Sequence, residues 1–104
     1  MKPVLAVHAG AWRMPGRLEV RHVQAMHDAL KAGFAAMPKG ALEAVTAAVA
    51  SMEKSGDVNA GSGGVLNREK KRELDAMVMD SAFNAGSVAS LSATTEAVRI
   101  ARCV

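Results

Sequence analysis

Aromatic side chains are almost missing from this sequence: two Phe, one Trp and no Tyr among 104 residues. A core built without them must be filled by Ala, Val, Leu and seven Met, with methionine as the adaptable gap-filler. Such a core suits close helix–helix and helix–sheet contacts but buries little area per residue. The chain is therefore expected to lean on a larger body. Cysteine is scarcer still. A lone Cys103 excludes an internal disulfide and fits a reducing, cytoplasmic compartment. Long apolar runs are absent: the opening "MKPVLAVHAGAW" is broken by His8 and Gly10 before it could act as a secretory signal. No stretch approaches the length of a membrane span. Charge of one sign is not concentrated either, since 13 basic and 10 acidic residues are interspersed for a net +3. A nucleic-acid surface would need a clustered basic stripe with aromatics or a recognition helix beside it. Neither nucleic acid nor membrane is expected as a partner.

What is present is a single domain's length with half its residues hydrophobic. Pro3 to Val7, "PVLAV", reads as a short buried strand feeding the polar "HAG". From Glu19, Val20, Val23, Met26, Leu30, Phe34 and Met37 recur at threes and fours, a helix stopped by Pro38, Lys39 and Gly40. A second helix carries Leu42, Val45, Val49 and Met52 as its stripe, with alanines that permit close approach, and ends at Gly56. The two helices are expected to pack as a pair. "NAGSGG" is too glycine-rich for a helix. Val65 and Leu66 predict the start of a strand that "NREKKR" turns back into "ELDAMVMD". Both faces of that last segment are apolar, which predicts a strand covered on both sides. "AGSVASL", Ala85 to Leu91, reads as another strand, and "SATTEAVRIARCV" as a helix with Ser92 or Thr94 as its N-cap. The order predicts an α+β fold with helices segregated from a sheet.

The candidate chemistry is sparse. His8 could be a base or could fix a turn. His22 and His27, five apart on a helix, face different ways and make poor joint metal ligands, so solvation is expected of them. Asp75 and Asp80, five apart on a strand, point to opposite faces and are expected to anchor backbone groups. "GSGG" at Gly61 to Gly64 lacks the Lys-Ser or Lys-Thr of a phosphate loop. Its carbonyls could instead bind a hard cation.

Taken in order, the segments resemble the N-terminal part of the plant-type L-asparaginase and isoaspartyl peptidase family of N-terminal-nucleophile hydrolases. "PVLAVHAGAW" is similar to the family's opening strand and its His-Gly-Gly-Ala loop, and "ALEAVTAAVASME" to its second helix. "NAGSGGVLN" with "ELDAMVMD" is similar to Asn-Ala-Gly-x-Gly-Ser-Val-Leu-Asn and Glu-Leu-Asp-Ala-x-Ile-Met-Asp-Gly. "AGSVASL" and "RIARCV" correspond to the next strand and helix. The resemblance implies an αββα sandwich, of which residues 1–104 form the α-subunit-like N-terminal part. It implies a precursor that cleaves itself before a Thr, which then serves as nucleophile toward the side-chain amide of L-asparagine and toward β-aspartyl dipeptides. Asn59 would lie near that nucleophile, with His8 and Gly10 in the loop near the cleavage site. Main-chain carbonyls of Met52, Glu53, Ser55, Val58, Ala60 and Ser62 would hold a structural Na⁺, and no organic cofactor is implied. The partner would be a β-subunit-like chain, in an (αβ)₂ assembly. The sequence departs from the family pattern where it matters most. The Gly-Thr-Val-Gly nucleophile motif is absent, and the threonines, Thr46, Thr94 and Thr95, stand in other contexts. Ala9, Pro38, Lys39, Lys70 and Ser81 replace family glycines. A truncated or diverged non-catalytic remnant, acting as an oligomerising or partner-binding module, is the alternative expectation.

Overall fold

The computed structural model describes residues 2–104. In chain order it contains helix α1 (Gly16–Ala36), a 3-10 turn (Met37–Lys39), helix α2 (Ala41–Ser55), a second 3-10 turn (Gly61–Gly63), strands β1 (Leu74–Met79) and β2 (Ala85–Leu91), and helix α3 (Ala97–Cys103). The α+β class expected from the sequence is the class observed.

Pro38 closes α1, and Gly40, at φ 115°, turns the chain into α2. α2 ends where Gly56 takes φ 73°, a left-handed position that glycine adopts without steric cost. The two helices pack together, but not through the stripe that periodicity picks out. Val20 is 75% exposed and Phe34 50%. Ala25, Ala29 and Gly33 are buried instead, against Ala44 and Ala48 of α2. The reason is the approach distance. A Cβ built on Gly33 would lie 3.0 Å from the Ala44 carbonyl oxygen and 3.2 Å from the Ala48 Cβ. Only a seam of small residues admits backbones that close, so Val20, Val23 and Phe34 are left exposed while Met26 and Leu30 are half-buried. Gly33→Ala is expected to destabilise the chain by about 1–3 kcal/mol through overpacking, whereas Val20→Ser should stay within about 0.5 kcal/mol. Urea unfolding of the two variants checks the contrast.

The expected strand at Pro3–Val7 is not formed: among the described residues the segment hydrogen-bonds to no ladder. Its burial still alternates: Leu5, Val7 and Ala9 pack on the core of Ala25, Ala29, Ala48, Met52 and Val58, while Val4 and His8 are exposed. The residue pattern is that of a strand; what is missing among the described residues is a neighbour to pair with. Val65 and Leu66 likewise form no strand. Their segment meets the following one in an isolated bridge between Leu66 and Arg72, backed by the Asn67 N–H donating to the Lys71 carbonyl at 2.8 Å and Arg72 Nε to the Gly64 carbonyl at 3.0 Å.

β1 and β2 form a two-stranded antiparallel sheet with Ala76 opposite Val88 and Met79 opposite Ala85. A bulge interrupts the register between Leu74 and Ala76. Near it Ser90 takes φ 53°, and its N–H donates to Asp75 Oδ1 at 2.8 Å. At the turn, Asp80 Oδ1 accepts from the N–H groups of Ala82 and Asn84 at 2.9 and 3.0 Å. Both aspartates thus anchor backbone, as expected. The Asn84 amide also bonds the Asp80 carboxylate and, with the backbone donors, holds it below the usual carboxylate range.

The expectation that β1 is covered on both sides is corrected by the structure. α3 covers one face, with Gly86 so close beneath it that a Cβ there would fall 2.2 Å from the Ala101 carbonyl oxygen. On the other face Met77 is 62% exposed and Met79 50%. The apolar pattern is right for a sandwiched strand, but only one of the two covering layers is present. α3 also starts later than expected. Its N-cap is Glu96, whose side chain makes no capping bond, while Thr94 Oγ1 accepts the Glu96 N–H at 3.1 Å. The first-turn N–H of Val98 is capped from a distance by Glu53 Oε1 of α2, at 3.0 Å.

Candidate functional site

The end of α2 and the loop after it are the most heavily wired part of the molecule. The Met52 carbonyl accepts the Ser55 hydroxyl at 2.8 Å, and the Glu53 carbonyl accepts the Ser62 hydroxyl at 2.8 Å. The Val58 carbonyl takes the Ala60 N–H at 2.7 Å and the Ala60 carbonyl the Gly63 N–H at 3.0 Å. The glycines let this loop fold tightly onto the helix end. Gly61 sits at φ 51°, where a Cβ would fall 2.4 Å from the Glu53 carbonyl oxygen, and a Cβ on Gly63 would fall 2.1 Å from that of Val58. The carbonyls of Glu53 and Val58 are thereby drawn toward the same tight loop. Each bonded carbonyl keeps a second lone pair.

On the side of this loop toward the N-terminal segment lies a cleft of about 530 Å³. It is lined by Ala9, Gly10 and Trp12 of the N-terminal segment, by His22 of α1, and by Asp57, Asn59, Gly63 and Val65 of the loop after α2. Gly10 and Asn59, distant in sequence, therefore share one space. Asn59 is held by its Oδ1, which accepts the Val65 N–H at 3.0 Å. Its exposed Nδ2 makes no hydrogen bond among the described residues, leaving a donor at the cleft. His8 does not line the cleft; its Nδ1 accepts the Gly10 N–H at 3.2 Å and so shapes the turn at Gly10, which sits at φ 99°. Ala9, in a family-glycine position, has no positive φ and packs its methyl on the core. Of the five such replacements only Lys70, at φ 60°, occupies a left-handed conformation.

His22 is the residue that sequence reasoning missed. It is not merely solvated: Nδ1 lies 3.1 Å from the Asp57 carbonyl oxygen and Nε2 3.1 Å from that of Ala9. No local pattern signals this, because the two partners are 35 and 13 residues away.

A second cleft, of about 390 Å³, opens between α2 and β1 and shares Asn59 with the first. Glu53 lines it, 3% exposed, with Oε2 buried and without a hydrogen-bond partner among the described residues. Burial pushes the Glu53 carboxyl above the usual carboxylate range, against the opposing effect of the Val98 N–H. Among the described residues no cluster of three or more His, Cys, Asp or Glu could hold a metal ion. No helix among them is long and apolar enough to cross a membrane.

A family model described as Asparaginase matches residues 1–104. The chain belongs to this asparaginase family. It is 42% identical over 96% of its length to the plant-type L-asparaginase of Pyrobaculum calidifontis, covering 35% of that protein. It is 36% identical over its whole length to the isoaspartyl peptidase/L-asparaginase of Danio rerio, covering 34% of it. It is 37% identical over 99% of its length to the isoaspartyl peptidase of Escherichia coli, covering 35% of it. The resemblance to plant-type asparaginases and isoaspartyl peptidases read from the motifs is thus one of membership. The helices flanking a small antiparallel sheet match the N-terminal portion of that family's αββα sandwich. The chain spans about a third of the length of the curated relatives it matches.

Proposed function

We propose that this chain is the α-subunit-like part, residues 1–104, of a hydrolase of the single αββα domain. The hydrolase cleaves the side-chain amide of L-asparagine and the β-aspartyl bond of isoaspartyl dipeptides. The observation that carries the proposal is the cleft in which Gly10 and Asn59 meet, on a chain whose relatives carry these activities in their names. A Thr hydroxyl supplied by another segment would attack the amide carbonyl, forming an acyl-enzyme and releasing ammonia or an amino acid, and water would then cleave the ester. Asn59, with its free Nδ2 donor, stands where it could orient that hydroxyl or the carbonyl it attacks. The Gly10 turn, shaped by His8, would bound the cleavage site. The bare Met77–Met79 face and the unpaired Pro3–Val7 segment are surfaces that a β-subunit-like chain or the rest of a precursor would cover, in an (αβ)₂ enzyme of a reducing, cytoplasmic compartment.

Purified alone, the chain is expected to release no aspartate from a β-aspartyl dipeptide. Co-expressed with a Thr-bearing segment of a relative, it should do so, with intact mass spectrometry showing both polypeptides. Absence of activity in the verified two-chain complex sinks the catalytic reading. The exposed Met77 and Met79 favour one alternative, a non-catalytic remnant that oligomerises or binds a partner over its open sheet. A folded monomer by size-exclusion chromatography would count against it.

The same proposal includes a structural Na⁺ held by the carbonyls of Met52, Glu53, Ser55, Val58, Ala60 and Ser62. A hard cation takes oxygen ligands of this kind, and the tight turns at Gly61 and Gly63 supply the crowding of carbonyls it needs. When bound it would neutralise carbonyl dipoles at the end of α2 and stiffen the Asn59 loop. Thermal unfolding should shift upward with NaCl relative to an equal concentration of tetramethylammonium chloride and remain unmoved by EDTA. Sensitivity to EDTA without a sodium effect would remove this assignment.

A further inference from the structure

The cleft between α2 and β1 follows an edge of the sheet. The neighbours Ala76 and Met77 both line it, and successive strand residues point to opposite faces, so it belongs to neither face alone. β2 holds the other edge of β1 and lends no residue to the cleft. The cleft is therefore open along the unpaired edge of β1, where an added strand finds free backbone N–H and C=O groups.

Its charge is one-sided. Glu53, Glu73 and Asp75 line it, and among the described residues no Lys, Arg or His does. Each carboxylate has one oxygen engaged. Glu53 Oε1 accepts the Val98 N–H at 3.0 Å, Glu73 Oε2 the Asn67 amide at 3.0 Å, and Asp75 Oδ1 the Ser90 N–H at 2.8 Å. None of the three forms an ion pair among the described residues. Glu53 Oε2 is the atom that asks for a ligand. It is buried, and among the described residues no group donates to it, a state that is costly for a carboxylate oxygen. The three carboxylates do not form a group that could hold a metal ion, so donors spaced along a chain suit them better than one metal cation. Val49, Val65 and Val98 also line the cleft, apolar surface for the stem of a long basic side chain.

We propose that this cleft is the docking groove for an extended basic segment of the chain that completes the domain. The segment adds to β1 as a strand, an Arg or Lys side chain reaches Glu53 Oε2, and further donors face Glu73 and Asp75. Which chain supplies it rests on the function proposed above; the chemistry of the groove does not. The matched relatives hold about two-thirds of their length outside the part shared with this chain, ample polypeptide for one strand.

The complex with the Thr-bearing segment tests the groove. Carbodiimide-directed labelling read by mass spectrometry should mark the exposed Glu73 and Asp75 in the isolated chain and spare both in the complex. Glu19, exposed on α1, should react equally in each. Glu73→Gln with Asp75→Asn keeps an oxygen for Asn67 and for Ser90, so the isolated chain should unfold as the parent does. The complex should weaken about tenfold and lose most of its salt dependence. Glu53→Gln puts an amide beside the incoming donor and should weaken it about thirtyfold, the lower end for one partner of a buried charge pair; Glu19→Gln should change nothing. If Glu53→Gln fails to fold, the double variant decides. Affinity unmoved in the double variant, equal labelling of Glu73 and Asp75 in the complex, or no complex at all overturns the groove. A charge-sensitive complex that hydrolyses no β-aspartyl dipeptide would uphold the groove and sink the catalytic reading.

Discussion

Glu53→Ala is expected to cost about 2–3 kcal/mol, the range for losing a hydrogen bond to a charged group from a buried site, and to lower Tm by roughly 10–20 °C in a domain of this size. The side chain reaches from α2 to the first turn of α3 and caps it through the Val98 N–H at 3.0 Å. Without it, a seven-residue helix keeps an unsatisfied buried donor and loses its tie to α2. α3 is also the layer that covers the sheet, so its loosening spreads to β1 and β2. Glu53→Gln is the informative companion, because it retains an oxygen for Val98 while removing the charge. Burial raises the Glu53 carboxyl above its unfolded value, so between the two values the folded chain binds more protons than the unfolded one. Stability therefore falls as pH rises through that window and is recovered on acidification. Asp80 works in the opposite direction. Its carboxyl is held low, so its contribution is present above its unfolded value and lost as pH falls through the folded one. Denaturant titrations from neutral to acidic pH should show the Glu53 limb in the parent and not in Glu53→Gln. Equal melting of Glu53→Ala and Glu53→Gln would mean that the Val98 contact is not what holds α3.

Glu53 also shows which parts of this molecule a sequence discloses. Ala85–Leu91 is legible as a strand to the residue, and Gly56 as the end of α2, because local chemistry decides both: β-compatible residues in the one, a left-handed turn in the other. The family motifs are local as well. They single out Asn59 and Gly10, and the fold then brings the two into one cleft. The Glu53 cap spans 45 residues and the His22 contact to Asp57 spans 35; nothing in the neighbourhood of either residue announces its partner. Periodicity is a poor guide to α1 for a different reason. It ranks large apolar residues first, and here the buried seam is made of Ala25, Ala29 and Gly33, chosen by how closely two backbones approach. The open face of β1 is a third kind of case. Its alternation of Ala76 and Val78 with Met77 and Met79 describes a strand within a two-sided sandwich.

Gly61→Ala is expected to be the most damaging single-methyl change in the chain, about 3–4 kcal/mol when left-handed strain and overpacking are combined. Two independent penalties meet at this residue. Its φ of 51° is one that a side chain adopts only at a cost, and the new Cβ would stand 2.4 Å from the Glu53 carbonyl oxygen, 2.5 Å from its Cβ and 2.6 Å from its Cα. None of these atoms is the free end of a flexible side chain, so the loop itself must move off α2. Gly64→Ala is the control. A Cβ there would meet Leu74 Cδ2 at 3.0 Å and Arg72 Cδ at 3.1 Å, without a positive φ, and those side chains can yield; about 1 kcal/mol is expected. Displacing the loop at Gly61 would break the Ser62 hydroxyl's bond to the Glu53 carbonyl and separate the carbonyls proposed to hold Na⁺. Gly61→Ala should therefore lose the sodium-dependent rise in Tm, while Gly64→Ala keeps it at a slightly lower baseline. If the two variants unfold at the same denaturant concentration, the loop does not press on α2 as closely as these distances require.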